Sequence, residues 1–149
     1  MSEIKTNIKE LLDSGGKYVG MTSGVSMLPM IESGKDVVVI EKKTERLKPL
    51  DVALYMRNGK DYVLHRVLKV TKDGYVIRGD NCYSDEIVKE DEVIGVLTQY
   101  FKGEKPIMMD DKDYLRYVDK RLKSYKVRRF FVLTIAKLKA FARRIFKGK

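Results

Sequence analysis

The chain has 149 residues, of which 44% are hydrophobic and 35% charged, so it can build a packed core and is excluded from the wholly disordered class. This length predicts one compact domain followed by a tail. Because the chain has a single cysteine, Cys82, and a single histidine, His65, an intramolecular disulfide and a zinc site made of Cys and His ligands are excluded.

Positive charge is concentrated at the C-terminus. Of the 31 Lys and Arg residues, fourteen lie in residues 112–149, where the only acidic residues are Asp113 and Asp119. The rest of the chain has seventeen basic and nineteen acidic residues, so it is close to neutral although the net charge is +10. This uneven distribution argues against a uniformly basic nucleic-acid-binding domain.

The predicted elements begin with a short amphipathic helix over residues 3–13, which ends at Gly15 and Gly16. Six short runs rich in Val, Ile and Tyr follow, and this composition predicts β-strands. They span residues 17–21, 36–40, 51–56, 62–70, 74–78 and 92–99. We therefore predict an N-terminal helical segment over residues 1–16 and a β domain over residues 17–101.

Two turn dipeptides in the middle of the chain predict how these strands are connected. Asn58-Gly59 and Asp73-Gly74 each lie between two of the runs, and such pairs favour the positive backbone angles of tight hairpin turns. They predict two consecutive hairpins, over residues 51–70 and 62–78. The expected fold class is therefore mainly β, with antiparallel strands.

The C-terminal segment predicts a basic helical tail over residues 114–149, reached through a linker over residues 102–113. Apolar residues return at helical spacing there, and most Lys and Arg residues fall off the apolar stripe, which is typical of one or two basic amphipathic helices. The stripe could pack on the β domain or lie on an anionic membrane surface. A nucleic-acid interface is less favoured, because phosphate contacts need no aromatic stripe such as Phe130 and Phe131.

The sequence also bears on location. The first sixteen residues alternate charged and apolar residues, so they do not predict a secretory signal. The longest apolar run, Phe130 to Ala136, is interrupted by Thr134 and is far shorter than the roughly 20 residues of a membrane-spanning helix. We expect a cytoplasmic protein without a transmembrane segment, with peripheral membrane association as the role of the tail if its helix binds lipid.

Three segments hold residue types that can carry hydrolytic chemistry. A Gly-containing bend at residues 23–29 holds Ser26, and such a bend can aim backbone N–H groups at an oxyanion. His65 lies within a predicted strand, and three acidic residues, Asp80, Asp85 and Glu86, follow the next one. Taken alone, each segment also has a structural explanation, as an ordinary loop, a half-buried histidine or a polar turn.

Together, in this order and spacing, the segments resemble the serine peptidase clan that contains signal peptidase I and the LexA-like self-cleaving repressors. Ser23-Gly24-Val25-Ser26-Met27-Leu28-Pro29 resembles the clan's S-G-x-S-M-x-P nucleophile box. The other matching segments, collinear with those of the clan, are residues 34–39, 48–55, 62–70, 78–81 and 93–96. The resemblance covers residues 18 to about 99 and implies the clan's coiled antiparallel β fold.

The histidine places the resemblance nearest to one branch of the clan. His65-Arg66-Val67 is similar to the H-R-V of the endoplasmic-reticulum, archaeal and sporulation-type signal peptidases, whereas the bacterial housekeeping enzymes and the repressors have a lysine base. The resemblance implies that Ser26 is the nucleophile and His65 the general base. It also implies two site acids, Asp80 and Glu86, the second standing where the family has Asp.

Two points about the implied site stay open. Asp85 is adjacent to Glu86, so the sequence does not decide which carboxylate orients His65. Gly24 stands where the family often has a serine that donates to the oxyanion, so backbone N–H groups are expected to take that role, with Gly24 and Met27 as oxyanion and substrate-binding residues.

The resemblance implies a serine endopeptidase with a Ser-His pair that cleaves an extended peptide or precursor protein after small side chains, without a metal or other cofactor. The extended substrate is expected to add as a strand beside the sheet. The alternative is a catalytically silent or self-processing regulatory or binding module on the same fold.

Overall fold

The computed structural model describes residues 7–147, and this part of the chain forms one β-sheet and three α-helices. The elements are α1 (Ile8–Asp13), β1 (Tyr18–Met21), β2 (Val37–Lys42), β3 (Val52–Arg57), β4 (Asp61–Val70), β5 (Gly74–Arg78), β6 (Glu86–Lys89), a 3₁₀ turn (Glu90–Glu92), β7 (Val93–Lys102), β8 (Lys105–Met108), α2 (Lys112–Lys123) and α3 (Tyr125–Lys147). The predicted class is confirmed: mainly antiparallel β, with a short N-terminal helix and a C-terminal helical segment. Residues 3–6 of the predicted first helix lie outside the described residues.

The eight strands form a single antiparallel sheet in the order β1-β2-β7-β3-β4-β5-β6, with β8 paired to β7. β7 is the long central strand, because it pairs with β2 over residues 95–101, with β3 over residues 93–96 and with β8 over residues 99–102. Register shifts interrupt three of the pairings, and such bulges increase the local twist of a sheet.

Both predicted hairpins are present, but their glycines act differently. Asn58 and Gly59 have φ angles of 53° and 66°, so the β3–β4 turn uses the positive backbone angles that its sequence predicts. Gly74 is instead the first residue of β5, and a Cβ there would lie 2.1 Å from the carbonyl oxygen of Val88 on β6. Gly74 is needed for the close approach of a neighbouring strand rather than for the turn.

The core lies around the middle strands. Residues 52–55 of β3 and 64–67 of β4 are buried without alternation, as expected of strands covered on both faces. One cluster of buried side chains contains Leu47, Ala53, Tyr55, Val67, Tyr75, Ile77, Val88 and Val93. Two polar residues in the buried run of β4, His65 and Arg66, are only 3% and 1% exposed, and they point to opposite faces of the strand.

The structure adds two strands that the sequence patterns do not predict. β6 begins at Glu86, at the end of the polar segment after β5, and β8 lies within the predicted linker. The tail contains two helices, α2 and α3. The chain divides into two compact units after Leu115, so the sheet and the start of α2 belong to the first unit and most of the helical tail to the second.

Candidate active site

Ser26 lies in the loop that connects β1 to β2, and buried residues that follow it anchor this loop. Met27, Met30 and Ile31 are 6%, 2% and 2% exposed, whereas Ser26 itself is half-buried. The loop enters the bend at Gly24, whose φ of 89° is a conformation that favours glycine. Ser26 is thus held at the surface by a loop whose following turn is packed into the core.

Asn81 fixes the main chain around Ser26. The Asn81 backbone N–H donates a hydrogen bond of 2.7 Å to the Ser26 carbonyl oxygen, and the Asn81 side-chain amide donates one of 3.2 Å to Val25 O. Among residues 7–147, no group accepts a hydrogen bond from the N–H of Ser26 or of Met27. These two N–H groups have no partner in that part of the chain, and the role in binding an oxyanion that the sequence assigns to this loop stays a prediction.

His65 lies on β4, opposite Ala53 of β3, with one ring nitrogen in a polar cluster and the other facing the Ser26 loop. Nδ1 is 3.2 Å from the hydroxyl oxygen of Tyr55 and 3.3 Å from Glu86 Oε1. The other nitrogen, Nε2, lies on the side of Gly79. The ring is therefore oriented by contacts at Nδ1, while Nε2 lies beside Gly79.

Gly79 lies where the Ser26 main chain and the His65 ring approach each other, although in the described part of the chain no hydrogen bond joins the Ser26 hydroxyl to His65. A Cβ built at this glycine would lie 2.6 Å from the Ser26 carbonyl oxygen, 2.8 Å from Cys82 Sγ and 2.9 Å from His65 Nε2. Any larger residue would collide with the Ser26 main chain, so glycine at this position allows the loop after β5 to bring these groups together.

The three acidic residues that the sequence leaves as alternatives have different partners. Asp80 accepts two hydrogen bonds of 2.8 Å from Arg66, and both side chains are 1% exposed. Asp85 is half-exposed and pairs with Arg78 at 2.9 Å. Of the three, Glu86 is the one that lies against the His65 ring, with Oε1 3.3 Å from Nδ1, so Glu86 is the carboxylate that the geometry places beside the base.

Glu86 is itself held by two residues of β3. Arg57 donates to both carboxylate oxygens, at 2.6 Å and 2.7 Å from Nη2 and at 3.1 Å from Nε, and the Tyr55 hydroxyl donates to Oε2 at 3.0 Å. Burial disfavours the charged form of Glu86, but these hydrogen bonds stabilise that form more strongly. The pKa of Glu86 therefore lies below its usual value. Glu86 is therefore ionised and paired at neutral pH.

Burial lowers the pKa of His65 below its ordinary value of 6.5. The negative charge of Glu86 opposes this shift, and the positive charge of Arg57 adds to it. At neutral pH the ring is therefore uncharged, which is the state that a general base needs. Burial also raises the pKa of the Cys82 thiol, so Cys82 is not an activated thiolate.

Ser26 and His65 line one cavity of about 660 Å³ within the first unit. Its other polar lining includes Glu86, Arg57, Lys60 and Cys82. Its apolar walls are formed by Met21, Met27, Ile31, Val38, Ile40 and Leu54. A cleft that combines apolar walls with convergent polar groups is the usual form of a small-ligand site.

Sequence reasoning singled out Ser26, His65, Gly24, Met27 and the acids, but it missed the groups that hold them. Tyr55, Arg57 and Asn81 are the main additions, and Arg66 is the partner of Asp80. Tyr55 shares one face of β3 with Ala53, which lies opposite His65, but this signal becomes visible only once the register of β3 and β4 is known. In residues 7–147 no group of three or more His, Cys, Asp or Glu side chains is arranged to hold a metal ion.

Comparisons of the chain with protein-family models, with curated proteins and with solved structures gave no match.

Proposed function

We propose that the protein is a serine endopeptidase in which Ser26 is the nucleophile and His65 the general base. The observation that carries this proposal is the approach of the Ser26 main chain and His65 Nε2 to the same side of Gly79, beside a cavity that both residues line. The neutral state of His65 and the available N–H groups of the Ser26 loop support it further.

The chemistry proceeds by acyl transfer. His65 Nε2 takes the Ser26 hydroxyl proton as the oxygen attacks the peptide carbonyl, and the N–H groups of Ser26 and Met27 stabilise the negative oxygen. The protonated imidazole then gives its proton to the departing amine, which leaves an acyl-enzyme. Water, deprotonated by the same nitrogen, attacks the ester and restores the Ser26 hydroxyl.

The substrate is an extended peptide that adds as a strand at the edge of the sheet. In the described part of the chain β1 pairs with β2 alone, so its other edge is open, and two of its residues, Tyr18 and Met21, line the cavity. Backbone pairing at such an edge gives affinity, and side-chain pockets give specificity. The resemblance to the peptidase clan further implies that the substrate has small side chains just before the cleaved bond.

Covalent labelling tests this function directly. The wild-type protein is treated with a panel of serine-reactive probes, an organophosphonate and a penem among them, and its intact mass is measured. We expect one adduct per chain on the wild type, none on Ser26→Ala and none on His65→Ala. Ser84→Ala is the matched control, because Ser84 is exposed and does not line the cavity.

Two results would contradict the proposal. An adduct that persists in Ser26→Ala places the reactive group elsewhere. Absence of any adduct, together with no cleavage of a peptide library in the presence of anionic vesicles, favours the silent binding module instead.

We also propose that the tail binds an anionic membrane surface. In α3 the apolar side chains of Val127, Phe131, Ile135, Leu138, Phe141 and Ile145 recur every three to four residues along one stripe, and each is 49–64% exposed. The helix sequence has eight Lys or Arg residues and no acidic residue. No helix within residues 7–147 is long and apolar enough to cross a bilayer.

The positive charge of α3 favours anionic lipid over a second copy of the helix as the partner of this apolar stripe. A second copy of the helix would bring two wholly basic segments together, whereas anionic headgroups complement the charge and the acyl region accepts the aromatic stripe. A helix with this pattern lies in the plane of the interface, with its apolar face buried.

Vesicle flotation of the full chain tests the membrane proposal. We expect binding to phosphatidylglycerol vesicles that weakens with salt, and little binding to phosphatidylcholine. Leu138→Glu, in the stripe, should abolish most of the binding, whereas Ala140→Glu, which makes the same charge change outside the stripe, should weaken it only a few-fold, since one charge near the surface is worth about 1 kcal/mol. Equal losses in both variants, or equal binding to both lipids, would overturn the proposal.

A further inference from the structure

We infer that Tyr55 is the positioning residue of the candidate base, and that its hydroxyl, together with Glu86, fixes His65 in the form that carries its proton on Nδ1. This inference rests on the proposed function, because it concerns how the base is prepared for the reaction. Its geometric basis is the Tyr55 hydroxyl oxygen, which lies 3.2 Å from His65 Nδ1 and 3.0 Å from Glu86 Oε2.

A count of protons gives the direction of these hydrogen bonds. An ionised carboxylate can only accept, so the single hydroxyl proton of Tyr55 is donated to Glu86. The same oxygen accepts a hydrogen bond of 3.2 Å from Arg57 Nη2 and has one acceptor position left for His65. Glu86 Oε1, 3.3 Å from Nδ1, is also an acceptor.

Nδ1 therefore faces two acceptors and no available donor. In the neutral ring this requires the proton on Nδ1 and leaves Nε2 with a free lone pair. Nε2 is the nitrogen directed to Gly79 and the Ser26 main chain. The hydrogen bonds at Tyr55 thus create a base on the side of the ring where the proposed reaction takes place.

Charge around His65 is balanced by groups from three elements. β3 contributes Arg57 and the Tyr55 hydroxyl, β6 contributes Glu86, and the loop after β5 contributes Asp80 and Cys82. Arg57 neutralises Glu86, so the ring has a paired acid and a neutral phenol beside it rather than a lone carboxylate. Burial raises the pKa of Tyr55 well above its ordinary value, so this phenol keeps its proton.

Tyr55 acts through His65 and not on the substrate. It is 2% exposed, packs in the core cluster and does not line the cavity. Its ring centroid lies 6.0 Å from that of His65, with an edge-on angle of 61°. Removal of its hydroxyl should therefore lower kcat and leave KM unchanged.

The experiment uses the fact that His65 is the only histidine in the chain. In ¹⁵N-labelled full-length protein, a long-range ¹H–¹⁵N spectrum gives one pair of ring nitrogen signals, whose shifts report the tautomer directly. We expect the wild type to be the Nδ1–H form at pH 8, with a nuclear Overhauser contact between this proton and the Tyr55 ring. Tyr55→Phe should gain a measurable Nε2–H fraction.

Tyr75→Phe is the matched control. Tyr75 is another fully buried tyrosine of the same core cluster, and its hydroxyl accepts a hydrogen bond of 3.0 Å from Leu47 N. This variant loses a buried hydroxyl that does not contact His65, so the His65 tautomer should be that of the wild type. A loss of stability that both variants show can then be distinguished from an effect on His65.

The activity measurement completes the test. General-base catalysis contributes roughly 10²–10⁴-fold, and Glu86 keeps part of the contact with Nδ1, so we expect Tyr55→Phe to lower kcat by roughly 10- to 100-fold. Its plot of kcat against pH should also change shape, which a purely structural defect does not produce.

Four results bear on the inference. An Nε2–H tautomer in the wild type, or absence of the Overhauser contact, overturns it even if Tyr55→Phe does not fold. An unchanged tautomer and pH profile in folded Tyr55→Phe also overturns it. A Tyr55-dependent Nδ1–H form in a protein that forms no Ser26 adduct and cleaves no library peptide supports the positioning by Tyr55 and overturns the peptidase proposal instead.

Discussion

His65 and Arg66 are neighbours on β4, but their side chains enter two very different polar clusters. Arg66 and Asp80 are both 1% exposed, and Arg66 also donates to Leu50 O at 3.0 Å and to the Tyr114 hydroxyl at 2.7 Å. On the other face, the Arg57–Glu86 pair beside His65 is 41% and 32% exposed. One arginine–carboxylate pair, Arg66–Asp80, is thus sealed in the core, and the other, Arg57–Glu86, is partly open to solvent. We call them the sealed pair and the open pair.

Because the two clusters differ in burial, we expect them to have different roles. The sealed pair joins β4 to the loop after β5, where Asn81 holds the Ser26 carbonyl oxygen, so it supports the site without touching the cavity. The open pair lines the cavity and contacts the base, where solvent weakens its contribution to stability. We therefore expect variants of the sealed pair to change mainly stability and variants of the open pair to change mainly activity.

Asp80→Asn should have the largest effect on stability. The variant keeps the shape of the side chain but leaves the buried charge of Arg66 without a counter-charge, and breaking such a pair costs about 3–5 kcal/mol. Urea unfolding followed by circular dichroism measures the change. The double variant Arg66→Met with Asp80→Leu removes both charges and should recover most of the loss, because apolar replacement of a whole buried pair is often neutral. A loss below about 1 kcal/mol in the single variant would mean that the pair is not sealed.

Glu86→Gln should show the opposite profile. The pair with Arg57 is partly exposed, so its loss should cost no more than about 1 kcal/mol of stability. The variant replaces the paired carboxylate beside Nδ1 with an amide that can donate, so kcat should fall by about 10-fold or more, as expected when a base loses its orienting acceptor. Asp85→Asn is the control, since Asp85 pairs with Arg78 rather than with His65. Equal effects of the two variants on kcat would remove Glu86 from the site.

The sequence predicted the hairpins and the candidate nucleophile and base better than it predicted which acid lies beside the base. The two hairpins follow from turn residues and alternation, and Ser26 and His65 are found through the resemblance of their segments. Glu86 could not be chosen over Asp80 and Asp85, because that choice depends on the pairing of β6 with β5, which sets Glu86 opposite Ile77. Nothing local in a polar segment after a strand reveals such a non-local pairing.

The register of the β3–β4 hairpin was also outside what sequence patterns decide. A two-residue turn at Asn58-Gly59 would pair Arg57 with Lys60, but the structure has a three-residue turn and pairs Arg57 with Asp61. A shift of one residue moves every side chain of a strand to the opposite face. The contact of Tyr55 with His65 depends on this register, which is why the tyrosine was missed.

Tyr114→Phe should have a smaller effect, again on stability alone. It removes the 2.7 Å hydrogen bond from Arg66 but keeps the ring beside the guanidinium, and hydrogen bonds to charged groups contribute about 1.5–3 kcal/mol. Because Arg66 keeps both bonds to Asp80, we expect the lower end of this range. Thermal and urea unfolding measure it, and Tyr18→Phe, a less buried tyrosine, serves as the comparison. A fall in kcat with unchanged stability would mean that this cluster reaches the cavity.

The pH dependence of the open cluster should give the smallest effect on stability and the finest test of the comparison. The pKa of His65 is lower in the folded protein than its ordinary 6.5, because burial penalises the charged ring. The unfolded chain therefore binds this proton first, so the stability gained by keeping His65 neutral is present above pH 6.5 and is lost as the pH falls towards the folded pKa. The acid limb of kcat/KM should have its midpoint below pH 6.5 for the same reason. The single histidine signal and urea unfolding at pH 7.5 and 5.5 measure both effects, and His65→Gln, which does not titrate, should lose this part of the pH dependence. A midpoint above 6.5 would mean that the charge of Glu86 outweighs burial at His65, and that the open cluster is more electrostatically coupled to the base than its exposure implies.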